Sequence, residues 1–280
     1  MFVIASFLVS YGIERALEEG NISDFLYFLF PFITTTPELF VFAYGLTLGK
    51  SGTAVSIGTV LGEPFIVLTL GILAYKALKK GPIEREPRSQ RTLVFFFALS
   101  ALFIFSYYVV RLGLLALAVV FLIYEASLML GFKGTKLKVS DASAFGYTAA
   151  GIVMLGLTGK YVTETVISIS SFLKIHPALT SFILVPAVSS LPELIAPFVF
   201  KSRKSEERLS PLLSELPISV GLYPPFLIFS ASFSVPLKVV VGLVLSMIQS
   251  LIIICEERRG LSFSHISGAL LFLAFISTLI

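Results

Sequence analysis

Thiol and imidazole chemistry is nearly absent from this chain: of 280 residues one is cysteine, Cys255, and two are histidine, His176 and His265. A single cysteine excludes an internal disulfide and a cysteine metal cluster. Both histidines lie at the starts of apolar segments. An intramembrane enzyme therefore lacks a nucleophile with its base, or a metal cluster, and no enzyme is expected. Charge is also scarce, at 14% of residues. The longest polar connections, around 76–91 and 201–210, are too short to fold alone, which leaves no room for a soluble domain. No cleavable signal peptide is expected, because the first apolar stretch runs into Glu14 and Arg15 without a small-residue cleavage pattern.

What is present is hydrocarbon: 56% hydrophobic residues, 27 of them Phe, and a mean hydropathy of +0.95. This composition predicts an all-α integral membrane protein. Ten apolar segments are expected, at roughly 1–17, 24–49, 53–77, 92–110, 112–131, 142–173, 177–200, 209–233, 236–255 and 261–280. With the N-terminus outside, sixteen of the 21 Lys and Arg fall in inner connections and four in outer ones, with Lys160 inside a segment. Such a bias fixes orientation by the positive-inside rule and supports the number of segments, since one more or fewer would invert every later loop. It also accounts for the net charge of +4 without an anionic partner such as nucleic acid.

Two stretches organise the chain: Thr34-Thr35-Thr36-Pro37-Glu38 and, 155 residues later, Ser189-Ser190-Leu191-Pro192-Glu193. Each sets hydroxyls, a helix-breaking proline and a carboxylate in an apolar run, where an ionisable group is costly. Their recurrence indicates duplication. Five segments precede the 132–141 connection and five follow, so the halves enter the membrane from opposite sides. The expected fold is thus ten transmembrane helices as two inverted five-helix repeats, 1–131 and 142–280, with a cytoplasmic linker at 132–141. In this alignment Met1 pairs with Gly156, so the first helix is expected to be short or tilted, or to begin upstream.

A proline inside a helix frees a carbonyl one turn earlier. Pro37 would free carbonyls near Ile33 and Thr34, and Pro192 near Val188 to Ser190. Carboxylate, hydroxyl and carbonyl together are hard ligands, suited to Na⁺ or Ca²⁺ rather than zinc or copper. The plainer alternative is that the prolines only kink their helices and the hydroxyls bond back to them. A second pair follows at a register of 152: Thr59 and Glu63 in Gly58 to Pro64, against Pro211 and Glu215 in Ser210 to Pro217. Four carboxylates near mid-membrane require bound cations or protons. For Glu215 the competing expectation is a salt bridge near the inner surface, seven residues after Arg208.

These residues resemble the calcium/cation antiporter superfamily, the sodium/calcium exchangers, whose inverted repeats carry a Gly-Thr-Ser-Leu-Pro-Glu-like element and then a Gly-Asn-x-x-Gly-Ser-Asn-like one. Ser189 to Leu194 is a close match to the first element and Thr34 to Leu39 a looser one, and Gly12 to Ala16 with Asn21 to Asp24 is similar to the link before it. The resemblance implies that Glu38 and Glu193 coordinate calcium and that Thr34, Thr35, Ser189 and Ser190 contact sodium or calcium. The chain departs from the pattern too: Ile33 and Val188 replace glycine, Thr59 and Pro211 replace a ligand, and Glu63 and Glu215 replace serine. A glutamate at 63 or 215 lies on the helix face of position 59 or 211 and could supply the missing ligand.

The expected function is a secondary antiporter of the cell membrane exchanging Ca²⁺ for Na⁺ or H⁺ by alternating access. It would need no cofactor, and its partners would be small inorganic cations and membrane lipid. Carboxylates without asparagine partners lean towards protons. The alternative is a divergent relative without exchange, serving as a channel, lipid-handling or accessory component. Among other residues, Lys160 and Glu164 are expected to neutralise one another, with the lining of an ion path as the alternative; Tyr107, Tyr108 and Tyr124 to be interfacial or packing aromatics; and Gly151, Gly156 and Gly159 to allow close helix packing or sliding of the sixth segment. The basic stretch from Lys76 to Arg91 is expected to be most simply the positive-inside signal, with contact to anionic lipid in addition.

Overall fold

In a computed structural model the described residues are 1–18, 31–78, 87–109, 113–129, 142–190, 213–229, 234–260 and 262–279. Among them the chain is all helical, and part of each of the ten predicted segments is helix. The helices are α1 (Phe2–Glu18), α2 (Thr36–Thr47), α3 (Gly49–Ile66), α4 (Ile72–Leu78), α5 (Pro87–Tyr108), α6 (Gly113–Met129), α7 (Ala142–Leu173), α8 (Pro177–Ser189), α9 (Leu216–Gly221), α10 (Leu237–Arg259) and α11 (Ser264–Ser277). A π-helical segment, Val67–Gly71, joins α3 to α4, and a 3-10 segment, Pro224–Phe229, follows α9. Four continuous helices are long and apolar enough to cross a membrane: Gly49–Ala77, Ser89–Tyr108, Ser143–Leu173 and Leu237–Arg259.

The second and third predicted segments meet at a tight corner. Gly49 takes φ +68° there, a left-handed conformation that glycine adopts at little cost, and α3 starts four residues earlier than hydropathy suggests. The most extensive helix packing is of α3 on α8, followed by α1 on α7. Glycine sets the first of these distances: a Cβ on Gly62 would run into the Phe182 backbone, and one on Gly58 into Ala178 and Ser181. On α7, Gly151 faces Ala5 and Val9 of α1 while Gly156 and Gly159 face Phe40 of α2, so the expected close approaches are present. Gly156 also accepts a hydrogen bond from Tyr44 at 2.8 Å.

Other contacts come in matched sets. Helix α10 packs on α3 as α5 packs on α9, and α11 lies on the π segment and α4 as α6 lies on α9 and the 3-10 segment. Two residues beyond Glu63, Phe65 meets Phe182 and Phe275 at ring-centroid distances of 5.4 and 4.8 Å. All three rings are fully buried, and they build an apolar wall beside the polar centre.

Lys76 corrects the simple reading of its basic stretch. It is buried, pairs with Glu256 at 2.7 Å and reaches Ser262 at 3.2 Å. Glu256 also accepts the Ser264 backbone N–H at 2.6 Å, so this ion pair ties α4 to α10 and to the start of α11. Lys160 and Glu164 form the expected pair, at 3.8 Å, on an exposed face of α7. Tyr124 stacks on Phe95, and the Tyr107 hydroxyl accepts the Val235 N–H at 2.8 Å, which makes both packing residues.

Candidate cation site

The first motif breaks a helix as its composition requires. A helical turn over residues 31–34 ends at Thr35, and Pro37 opens α2, so no N–H reaches back to the Ile33 carbonyl. The threonines follow the plainer alternative in part. Thr34 and Thr35 both donate to Pro31 O, at 3.2 and 2.9 Å, and Thr36 donates to Phe32 O at 3.3 Å. Glu38, in the first turn of α2, is 3% exposed. Its partner comes from the other half: Ser189, at the end of α8, donates to Glu38 Oε1. Ser189 also lies 2.8 Å from Val185 O. Ser190 is buried at the C-cap of α8, where its N–H bonds Pro186 O. Leu191, Pro192 and Glu193 lie outside the described residues, as do Asn21 to Asp24 and Pro211.

The second pair of motifs meets directly. Glu63 on α3 and Glu215 at the N-cap of α9 are 1% and 3% exposed and lie within hydrogen-bonding reach of one another. Glu215 is thus buried beside Glu63, and Arg208, its alternative partner, lies outside the described residues. Glu38 is close enough to act on the charge of Glu63 as well. Ser219, one turn after Glu215, donates to Glu63 Oε2, repeating across the second pair what Ser189 does for Glu38. The other carboxylate oxygen, Glu63 Oε1, and Thr59 Oγ1 one turn before it are buried with no hydrogen-bond partner among the described residues. Orphaned acceptors of this kind are costly unless something outside the protein satisfies them.

Sequence reasoning missed Ser219 and Tyr223. Tyr223 is buried, donates to Thr35 Oγ1 at 3.0 Å and lies within the field of all three glutamates. A signal for both was present: Glu215, Ser219 and Tyr223 are spaced i, i+4, i+8 in an apolar run and so share one helix face. Among the described residues Lys76 is the one buried Lys or Arg, and Glu256 engages it elsewhere. Three buried carboxylates, Glu38, Glu63 and Glu215, therefore stand together at this centre. They do not form a closed shell, since among the described residues no three His, Cys, Asp or Glu side chains are arranged to hold a metal ion. Any cation taken up here would draw on hydroxyls and carbonyls too.

No protein-family model matches the chain, and no curated protein matches it. Solved structures do. The sodium-calcium exchanger NCX_Mj, soaked with 2.5 mM Na⁺ and 0.1 mM Sr²⁺, superimposes with a TM-score of 0.69 at 18% identity, covering 100% of this chain and 95% of that one. The same exchanger soaked with zero Na⁺ and Ca²⁺ gives 0.64 at 15% identity over the same shares of the two chains. Native YfkE gives 0.70 at 15% identity, covering 99% of this chain and 87% of that one. At such identities the likeness is one of fold: this multi-pass membrane protein folds as the sodium-calcium exchanger NCX_Mj and YfkE do, and its two Pro-Glu motifs resemble those of the calcium/cation antiporter superfamily.

Proposed function

We propose that this chain is a secondary antiporter that exchanges a divalent cation, Ca²⁺, for H⁺ or Na⁺ by alternating access. The observation that carries the reading is the meeting of Glu38, Glu63 and Glu215, from both halves, in a buried centre with Ser189 and Ser219. Bare carboxylates cannot share a dry interior, because each penalises the charge of the others. A divalent ion neutralises two of them and leaves one for a proton or a monovalent ion. Glu193 would join as a further ligand, with Thr34, Thr59, Ser189 and Ser190 as neutral ones, while the Thr35 hydroxyl is engaged by Pro31 and Tyr223. The orphaned oxygens of Thr59 and Glu63 support this use.

The serines suit a site that changes protonation. A hydroxyl has one proton and two lone pairs. When Glu38 is ionised, Ser189 donates to it; when Glu38 is protonated, Glu38 donates to Ser189, which turns its own proton to Val185 O. Ser219 has the same choice between Glu63 Oε2 and Glu215 O, the latter at 3.3 Å. Neither state strands a buried donor, and this favours H⁺ as the counter-ion.

The matched packing of α5 on α9 and α10 on α3 supports two inverted repeats, 1–131 and 142–280, with the ions held between them. The N-terminus then faces outward at the cell membrane. Ca²⁺ uptake into proteoliposomes under imposed pH or Na⁺ gradients tests the reading. A pH gradient should drive uptake. Uptake driven by Na⁺ and indifferent to pH would sink the proton version, and no gradient-driven flux at all would sink exchange.

A further inference from the structure

Tyr223 stands between the carboxylates and the first-half threonines. Its hydroxyl donates to Thr35 Oγ1 at 3.0 Å, and Thr35 donates in turn to Pro31 O at 2.9 Å. The ring is held against Phe42 at a centroid distance of 5.4 Å, and the residue is 3% exposed. Thr35 is the N-cap of α2 and Glu38 lies in the first turn of that helix, so Thr35 Oγ1 borders the same centre. Thr35 has one proton and two lone pairs. Pro31 takes the proton and Tyr223 takes a lone pair, so the protein already occupies this oxygen on two sides.

We infer that Tyr223 sets the cation selectivity of the site by holding the Thr35 hydroxyl out of coordination. This rests on the cation-site reading above. Affinity for a divalent ion follows the number of charged ligands, so one neutral hydroxyl matters little to an ion held by carboxylates. A monovalent ion shares fewer charges, and each neutral oxygen counts for more. At the register that pairs Glu63 with Glu215, the counterpart of Tyr223 is Gly71, which has no hydroxyl, and the motif counterpart of Thr35 is Ser190. Monovalent binding is therefore restrained on the Thr35 side.

Radiolabelled Ca²⁺ binding to the purified full-length protein, with Na⁺ as competitor, tests this. Tyr223→Phe keeps the ring and removes only the hydroxyl. It should leave Ca²⁺ affinity within about twofold and make Na⁺ compete about threefold to tenfold more strongly, the size of one released hydrogen bond. The gain should vanish in Tyr223→Phe/Thr35→Val and persist in Tyr223→Phe/Thr35→Ser, which retains a hydroxyl; a purely packing role for Tyr223 would not follow that pattern. Unchanged Na⁺ competition in Tyr223→Phe, or a gain that survives Thr35→Val, would overturn the inference. Absence of Ca²⁺ binding in the unaltered protein would overturn the cation-site reading, and the inference with it.

Discussion

Helices α3 and α9 carry matching glutamates in unlike settings. Glu63 sits within a continuous helical run from Gly49 to Leu78, with Pro64 inside it. Glu215 caps a helix of six residues, Leu216–Gly221, which has Pro217 in its first turn and gives way to a 3-10 segment at Pro224. The neighbours differ as well. One turn before the glutamate the first half has Thr59 and the second Pro211; one and two turns after it the first half has Val67 and Gly71 and the second Ser219 and Tyr223. The lesson is a division of labour. The first half holds its carboxylate on a rigid rod, and the second supplies hydroxyls to both halves from a short, proline-bounded piece.

The strongest way to break that comparison is to remove one charge at a time. Glu38→Gln, Glu63→Gln and Glu215→Gln should each reduce Ca²⁺ uptake by about a hundredfold or more, as expected for losing one partner of a buried charged contact. Glu63→Gln and Glu215→Gln should be equally severe, and a clear difference in uptake between them would end the equivalence of the pair. Next in size, Ser219→Ala should weaken Ca²⁺ binding about tenfold, since a hydrogen bond to a charged group is worth roughly 1.5–3 kcal/mol. Val67→Ser, which writes the same hydroxyl into the first half, should not restore it, because Val67 is buried in the apolar core.

Smaller effects probe packing. Gly62→Ser installs the second-half residue of that position, Ser214, in the first half, where a Cβ meets the Phe182 backbone. It should cost about 1–3 kcal/mol, read as a lower thermal unfolding midpoint in detergent. A neutral result would mean that α3 and α8 can separate freely. Smallest is His176→Ala at the start of α8, where the imidazole accepts the Ala178 N–H at 3.2 Å. Its loss should destabilise by roughly 0.5 kcal/mol, the low end for an N-cap. Burial holds the His176 pKa below its ordinary value, so the cap contributes above the ordinary imidazole range and fades as pH falls. The gap between variant and parent in unfolding midpoint should therefore narrow in acid.

Much of this architecture was legible because lipid imposes a simple code. Hydropathy located helix in all ten segments, and the first Pro-Glu motif with Glu63 and Glu215 named three carboxylates that meet, while Glu193 lies outside the described residues. What hydropathy could not supply was partner identity across the halves. Ser189 to Glu38 spans 151 residues and Ser219 to Glu63 spans 156, and no local spacing encodes either bond. The threonines misled for the opposite reason. Their hydroxyls find carbonyls three or four residues back, an option open to any Thr in a helix and silent in composition. Lys76 was hidden by its company, since a lysine within a basic run reads as surface until Glu256 is seen beneath it.

The π-helical segment between α3 and α4 holds one residue of slack. Ile72 N–H bonds Val67 O, five residues back instead of four, at a point one turn beyond Glu63 and one turn before Lys76. Lys76 is moored to Glu256, so tightening the segment to α geometry would leave the lower end in place and swivel the upper end by roughly 100° about the helix axis. That swivel would carry the Glu63 carboxylate off the face it shares with Glu215. Deleting Leu70 would take up the slack without the swivel, since one residue fewer in α geometry turns through the same angle; such a protein should keep its helical content and its Ca²⁺ binding while its Ca²⁺ uptake falls.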